Sequence, residues 1–153
     1  MPIVIDETGK VLRQSKAIYR LIARKSGAYP SDPDVALQHD WIVDTYYDIF
    51  DAVNEPVLMS MNGAPEDQVK EKAAKVFGEL LPTMLGRLKP YFENNHKFLL
   101  GDKLLMCDYV VGSLYTDNAM NPGAAMGREP WDALLAANPG FKKFGENFAE
   151  AIK

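Results

Sequence analysis

The chain is poor in the residues that most often announce a special chemistry. Its 153 residues include one cysteine, Cys107, so no internal disulfide can form, and a lone thiol suits a reducing, cytoplasmic setting. The two histidines, His39 and His96, stand far apart with no carboxylate or thiol at metal-ligand spacing, so no structural zinc and no metal are expected. No apolar run approaches the roughly 18 residues of a membrane-spanning helix, so no membrane insertion is expected. Positive charge is also in deficit. Seventeen Lys and Arg face 21 Asp and Glu, a net charge of -4, and a field of that sign repels phosphate backbones. Nucleic acid is therefore not expected as a partner. Met-Pro-Ile-Val-Ile at the start runs straight into Asp6 and Glu7, with neither the basic flank nor the apolar length of a secretory leader.

What is present is an ordinary globular composition. With 47% apolar and 25% charged residues, the chain can bury one core without disulfides or metal. Ile3-Val4-Ile5 and Val11-Leu12, separated by the turn-forming Asp6-Glu7-Thr8-Gly9-Lys10, predict a short hairpin. Two strands alone are marginal in water and leave unpaired edges. Either a helix covers the hairpin and another strand pairs with it, or the sequence begins inside a sheet.

The rest reads as helical. Ser15 opens a run carrying Ile18, Leu21 and Ile22 on one face, closed by Gly27. Pro30, Ser31 and Pro33 mark a linker, and Ser31 with Asp34 resembles a capping box. A long periodic segment follows from Leu37 to Met61, with Pro56 expected to bend it near its end. Beyond Asn62-Gly63, Pro65 is expected as a first helical residue. One bent helix is predicted from there to Tyr91, with Gly78 and Gly86 each four residues before a proline, Pro82 and Pro90, so that the backbone can give way. Phe98–Asp102 reads as an extended segment and turn, followed by a helix from about Met106 and two shorter ones opened by Pro130 and Asn138-Pro139. The predicted class is mostly α, a helical bundle behind a small β-hairpin.

Three groups of residues could carry chemistry. Gln14-Ser15 sits where the second strand meets the first helix, where Ser15 can cap the helix and the first-turn amides can seat a carboxylate. Asp40, Asp44 and Asp48 form an acidic ladder on one helix face. It is either a solvated face, or it is offset by basic partners, a bound cation or an ammonium group. Tyr46, Tyr47 and Phe50 beside it are either core or the lining of an apolar pocket. Cys107, inside an apolar run, reads as a small buried hydrophobe. No Ser/His/Asp arrangement and no phosphate-binding glycine loop is present.

Four stretches in order resemble the cytosolic glutathione transferases, of the sigma, mu and pi-like classes. Leu12-Arg13-Gln14-Ser15-Lys16-Ala17-Ile18-Tyr19-Arg20-Leu21-Ile22-Ala23 resembles their Q-S-x-A-I-x-R-Y-L/I-A signature. Gly27-Ala28-Tyr29-Pro30 resembles the linker to their helical domain, and the aspartate ladder falls where their long helix is acidic. Phe98 to Tyr109 is similar to their F-L-x-G-d-x-L-T-x-A-D-f segment. The resemblance implies a partial thioredoxin-like, glutathione-binding unit over residues 1–27 and a helical domain over residues 28–153. It implies that Gln14 and Ser15 hold the γ-glutamyl end of glutathione. It also implies that Asp48 of a neighbouring subunit reaches the amino group, and that Met1, preceding Pro2 at the family's cis-proline position, pairs its backbone with the cysteinyl part. A helix N-terminus suits the carboxylate of that group and an aspartate suits its ammonium. Phe50 and Leu58 are expected to line the acceptor pocket.

Two departures from the family pattern stand out. The sequence begins at the cis-proline position, so the strand-helix-strand unit that carries the thiol-activating Tyr, Ser or Cys is expected to be absent. The sixth-helix capping box has Leu105 in place of Ser or Thr while keeping Asp108, so one of two reciprocal bonds is expected to be lost, at a typical cost of about 1 kcal/mol. The functional expectation is a glutathione-transferase-like protein that keeps the γ-glutamyl half of a site and is weakly active or inactive. If the missing segment exists in the native protein, it is a glutathione transferase acting on electrophiles. The alternative is a non-catalytic scaffolding subunit, with a homodimer contact or a protein partner covering the exposed sheet edge.

Overall fold

The computed structural model describes residues 3–124 and 126–153. Met1 and Pro2, singled out above by resemblance, lie outside the described residues. The chain opens with the expected hairpin, β1 (Val4–Ile5) antiparallel to β2 (Val11–Leu12), with Val4 opposite Leu12 and Ile5 opposite Val11. Asp6 ties its turn. One carboxylate oxygen accepts from the Thr8 amide at 2.9 Å, the Thr8 hydroxyl at 2.6 Å and the Lys10 amide at 3.0 Å. Gly9, at φ 82°, supplies the left-handed residue that the reversal needs.

Helix α1 (Ser15–Ser26) stops at Gly27, whose φ of 74° lets the Ala28 amide fold back onto the Ala23 carbonyl at 2.8 Å. Helix α2 (Pro33–Met61) runs for 29 residues and buries Ile42, Val43, Tyr46, Ile49 and Val53 at helical spacing. Its cap is Asp32, not the Ser31 expected from sequence; the Asp32 carboxylate accepts the Asp34 and Val35 amides, both at 3.0 Å. Pro33 settles this, because its fixed φ and missing N–H fit the first helical position, which makes the residue before it the cap.

The next helical path is continuous, as predicted, but the way it passes Pro82 differs. Helix α3 (Glu66–Lys75) widens into a π-helical turn at Val76–Leu80 and continues as α4 (Leu81–Phe92). A proline cannot accept the normal turn before it, and the wider turn moves the backbone aside. A Cβ added at Gly78 or Gly86 would meet nothing within 4 Å, so surrounding packing does not demand either glycine. Pro65 sits one position before α3 rather than inside it.

Helix α5 (Met106–Ser113) passes into a second π turn (Leu114–Ala119), and α6 (Glu129–Ala137) and α7 (Pro139–Ala151) close the bundle. The core holds Trp131, Phe141, Leu81, Leu85, Leu88 and Leu114, all essentially inaccessible. Helices α5 and α7 approach through glycines. A Cβ on Gly112 would lie 2.3 Å from the Phe148 ring, and one on Gly145 would lie 2.2 Å from the Tyr115 ring.

Asp108 anchors the start of α5, as its retention in the capping box suggested. It is fully buried, and its two oxygens accept the Leu99 amide at 2.9 Å and the Leu105 amide at 2.8 Å. Leu105 has no acceptor to return the bond. No helix among the described residues is long and apolar enough to cross a membrane.

Candidate functional site at the first helix

The junction between β2 and α1 is held in an unusual backbone state. Gln14 has φ 70° and ψ 100°, and among the described residues it is the one non-glycine with positive φ. Such strain costs on the order of 1–3 kcal/mol and persists where the surroundings impose it. The Gln14 carbonyl accepts both the Ala17 and Ile18 amides at 3.0 Å, and no side chain caps the helix. Ser15 is therefore the first helical residue and not the cap expected from sequence. Its consequence is an open helix N-terminus beside Lys16 with no acidic residue in the first turn. That is a positive electrostatic end with unsatisfied donors, suited to a carboxylate.

A cavity of about 760 Å³ lies along α1, between it, α2 and α5. Ser15, Tyr19 and Ile22 form one wall and Tyr46, Tyr47 and Phe50 the other. The aromatic stripe of α2 thus divides its work. Tyr46 is buried, with its hydroxyl 3.1 Å from Ser113 Oγ, while Phe50 remains 44% exposed. The Tyr47 hydroxyl is buried without a hydrogen-bond partner, and burial pushes its pKa up, so it stays a protonated donor. The Lys16 ammonium lies 4.0 Å from the centre of the Tyr47 ring.

The acidic ladder is compensated at two of its three rungs. Arg20 of α1 donates to Asp40 at 3.2 Å and to Asp44 at 2.6 Å. Tyr29 donates its hydroxyl to the other Asp40 oxygen at 2.7 Å. Partial burial acts to raise the Asp40 pKa, but the bonds from Tyr29, Arg20 and His39 outweigh it and hold the carboxyl below its ordinary value. Asp48 stays exposed on the same helix, and the ion pairs of Arg20 go to Asp40 and Asp44. Among the described residues no hydrogen bond within this chain joins Asp48 to Gln14 or Ser15.

His39 is the residue that sequence reasoning missed. It is fully buried, accepts the Cys107 amide on Nε2 at 3.2 Å, and has Nδ1 3.2 Å from Asp40. Nε2 must be bare to accept, so Nδ1 carries the proton and donates to Asp40. One histidine thus links the α1–α2 charge network to the first turn of α5. Burial lowers its pKa against the pull of Asp40. The signal available in sequence was a histidine placed three residues before the buried Ile42, on the helix's inner side. Cys107 is buried as expected, and burial pushes its thiol pKa up. Phe50 and Leu58 line a second cavity of about 990 Å³ with Asn54 and Met59, and Phe50 borders the first as well. Among the described residues no cluster of His, Cys, Asp and Glu could hold a metal ion.

This architecture recurs in known proteins. Glutathione S-transferase 3 of Caenorhabditis elegans is 29% identical over 109 residues, which are 71% of this chain and 53% of that protein. The chain thus spans about half the length of that curated relative. Among solved structures, the glutathione S-transferase Blo t 8 superposes with a TM-score of 0.73 at 19% identity, over 98% of this chain and 63% of the other. A glutathione transferase homologue from Sulfitobacter, solved with bound glutathione, gives a TM-score of 0.60 at 18% identity, over 99% of this chain and 72% of the other. At such identities the two structures establish the fold. The family profile described as the glutathione S-transferase C-terminal domain matches residues 51–151, two thirds of the sequence, and the chain belongs to that family.

Proposed function

We propose that the junction of β2 and α1 is the γ-glutamyl half of a glutathione site. The observation that carries this reading is the strained Gln14 next to an open, cation-flanked helix N-terminus at Ser15. A carboxylate seated there accepts from the first amides of α1 and the Ser15 hydroxyl, while the Gln14 amide contacts the neighbouring backbone of the tripeptide. Asp48, exposed on α2, is assigned to the ammonium of glutathione bound to a neighbouring subunit, an arrangement that requires a dimer. The backbone of Met1, set by Pro2, is assigned to the cysteinyl part. Residues 1–27 are read as part of a thioredoxin-like unit and residues 28–153 as the helical domain. Phe50 and Leu58 are assigned to the electrophile, and the cavity they share supports that pairing.

The reading assigns no residue of 1–153 to the glutathione sulfur. Glutathione transfer needs the thiol deprotonated and the thiolate held by a donor. Conjugation by this polypeptide alone is therefore expected to be weak. A melting experiment tests the cradle: ligand at 100 times its dissociation constant stabilises by about 2.7 kcal/mol, so glutathione should raise the melting point by several degrees. Ser15→Ala should remove most of that rise. A melting point that glutathione does not move, up to millimolar ligand, refutes the cradle.

A second reading is favoured by the hairpin. Ile3, Ile5 and Val11 are 60%, 67% and 48% exposed, which is costly unless something covers them. On this reading the chain serves as a non-catalytic module that binds another polypeptide.

A further inference from the structure

The start of α5 lacks the side-chain acceptor that its backbone is shaped for. Leu105 holds φ −116° and ψ 169°, the extended geometry of a capping residue, but no side chain of its own turn caps the helix. The first amides are satisfied from elsewhere. Met106 donates to the Ala28 carbonyl at 2.9 Å, just past α1, and Asp108 donates to the Leu105 carbonyl at 3.0 Å. Cys107 donates to His39 Nε2, on α2, at 3.2 Å. A hydroxyl cap would not titrate near neutral pH, whereas an imidazole does. The ring is held from several sides. It is inaccessible, Tyr29 packs edge-on with 4.7 Å between centroids, and Nδ1 lies 3.2 Å from Asp40, which Arg20 of α1 also binds. A proton on Nε2 would turn the acceptor into a donor facing the Cys107 N–H. Burial opposes that charge most, Arg20 adds to the opposition, and Asp40 favours the imidazolium. The other groups nearby are already engaged. Asp44 binds Arg20, Tyr29 gives its hydroxyl to Asp40, the buried Cys107 thiol stays protonated, and Asp108 accepts the Leu99 and Leu105 amides.

We propose that His39 is a proton-operated cap for α5: neutral, it stands in for the hydroxyl that Leu105 lacks, and charged, it releases the first turn of the helix from α2. The effect reaches the 760 Å³ cavity, because Leu104, Met106 and Tyr109, on either side of the capped amide, line its wall. Release loosens that wall and opens a path to Cys107, whose side chain is inaccessible while the cap holds. The direction follows from burial. With its pKa held below the ordinary 6.5, His39 is neutral and the cap closed at neutral pH, and the cap opens as pH falls through the folded value. The device works whether or not glutathione binds.

The test uses the whole chain and its single cysteine as reporter. Labelling of Cys107 by 4,4′-dithiodipyridine gives a protection factor, the rate in denaturant divided by the rate in the folded chain at the same pH, which reads the population of the open form. One coupled proton changes an opening equilibrium by up to about tenfold per pH unit, so protection should fall about tenfold from neutral pH to about pH 5. The labelling rate at the acid end should be insensitive to low urea, the mark of a local opening. His39→Gln keeps an acceptor for the Cys107 amide without the titration, and its protection should show no acid-induced fall. Leu105→Thr gives the turn a cap of its own and should shrink the fall severalfold with His39 still in place. The proposal is overturned if His39→Gln responds to acid as the wild type does, or if Leu105→Thr leaves the response unchanged. It is equally overturned if acid labelling of the wild type carries the full urea dependence of global unfolding, because Cys107 would then be reached only through the unfolded chain.

Discussion

Asp108 and His39 are both buried and both bond backbone amides near the start of α5, yet acidification acts on them in opposite directions. Burial raises the Asp108 pKa from 3.8 to about 6, against the pull of its amide donors. A carboxyl whose folded pKa is raised contributes stability that is present below its unfolded value and lost as pH rises through the folded one. His39 has a depressed pKa, so its contribution is present above its unfolded value of 6.5 and lost as pH falls through the folded value. In molecular terms, a protonated Nε2 can no longer accept the Cys107 amide. Asp108→Asn removes the compensating group and should make urea midpoints fall more steeply between pH 6 and pH 4 than in the wild type. A parallel or shallower profile contradicts the assignment. Asp108→Ala strands two buried amides and should cost about 2–6 kcal/mol at neutral pH, taking 1–3 for each unsatisfied donor. Gly145→Ala forces a Cβ into the Tyr115 ring, and overpacking of this kind costs about 1–3 kcal/mol, read as a lowered melting point.

At the scale of elements, α1 is held to α2 chiefly through Arg20, which stands between two aspartates one turn apart. Arg20→Ala leaves Asp40 and Asp44 repelling each other and removes a bond from the Asp40 network. Both aspartates are partly solvated, so screening limits the loss to about 1 kcal/mol, and the loss should shrink in molar salt. An equal loss at high salt would mean that packing of the arginine stem, not its charge, is what matters. The same helices show which parts of the structure sequence can disclose. Elements whose ends are fixed by one residue's backbone chemistry were legible: Gly27 ends α1, Pro139 begins α7, and the Asp6–Lys10 turn makes the hairpin. The aspartate ladder announced a compensating cation without identifying Arg20, because the partner lies on another helix and no local pattern encodes it. Ser31 misled for a related reason, since a capping acceptor is judged by the residue after it, and Pro33 moves the cap to Asp32. The two π turns and the glycine contacts of α5 with α7 depend on tertiary packing, and the alternation of apolar residues carries no trace of them. The Gln14-Ser15 junction was legible as a position, while its strained φ and the empty cap were not.

For the whole molecule, burial is distributed unevenly along the chain. The core is built from α2 and the helices after it, and from α1 it receives Ala23 alone; Ile18 is buried apart from it. Residues 3–28 are thus anchored by a salt-bridged arginine, a few tertiary bonds such as Met106 N–H to the Ala28 carbonyl at 2.9 Å, and little apolar area. Local stability follows buried contact, so the hairpin and α1 should open without the bundle unfolding. Native-state hydrogen exchange should then give two populations. Amides of Ile5, Leu12 and the first half of α1 should exchange through an opening well below the global unfolding free energy and insensitive to low urea. Those around Ile42, Val43 and Ile49, whose side chains are inaccessible, should exchange only through global unfolding and follow its full urea dependence. Arg20→Ala should lower the first class by about 1 kcal/mol while leaving the second unchanged relative to global stability. A single exchange class spanning Ile5 to Ile49 would mean that the hairpin and α1 are integral to the bundle. Their exposed apolar faces would then be ordinary surface of the bundle rather than part of a half-anchored unit.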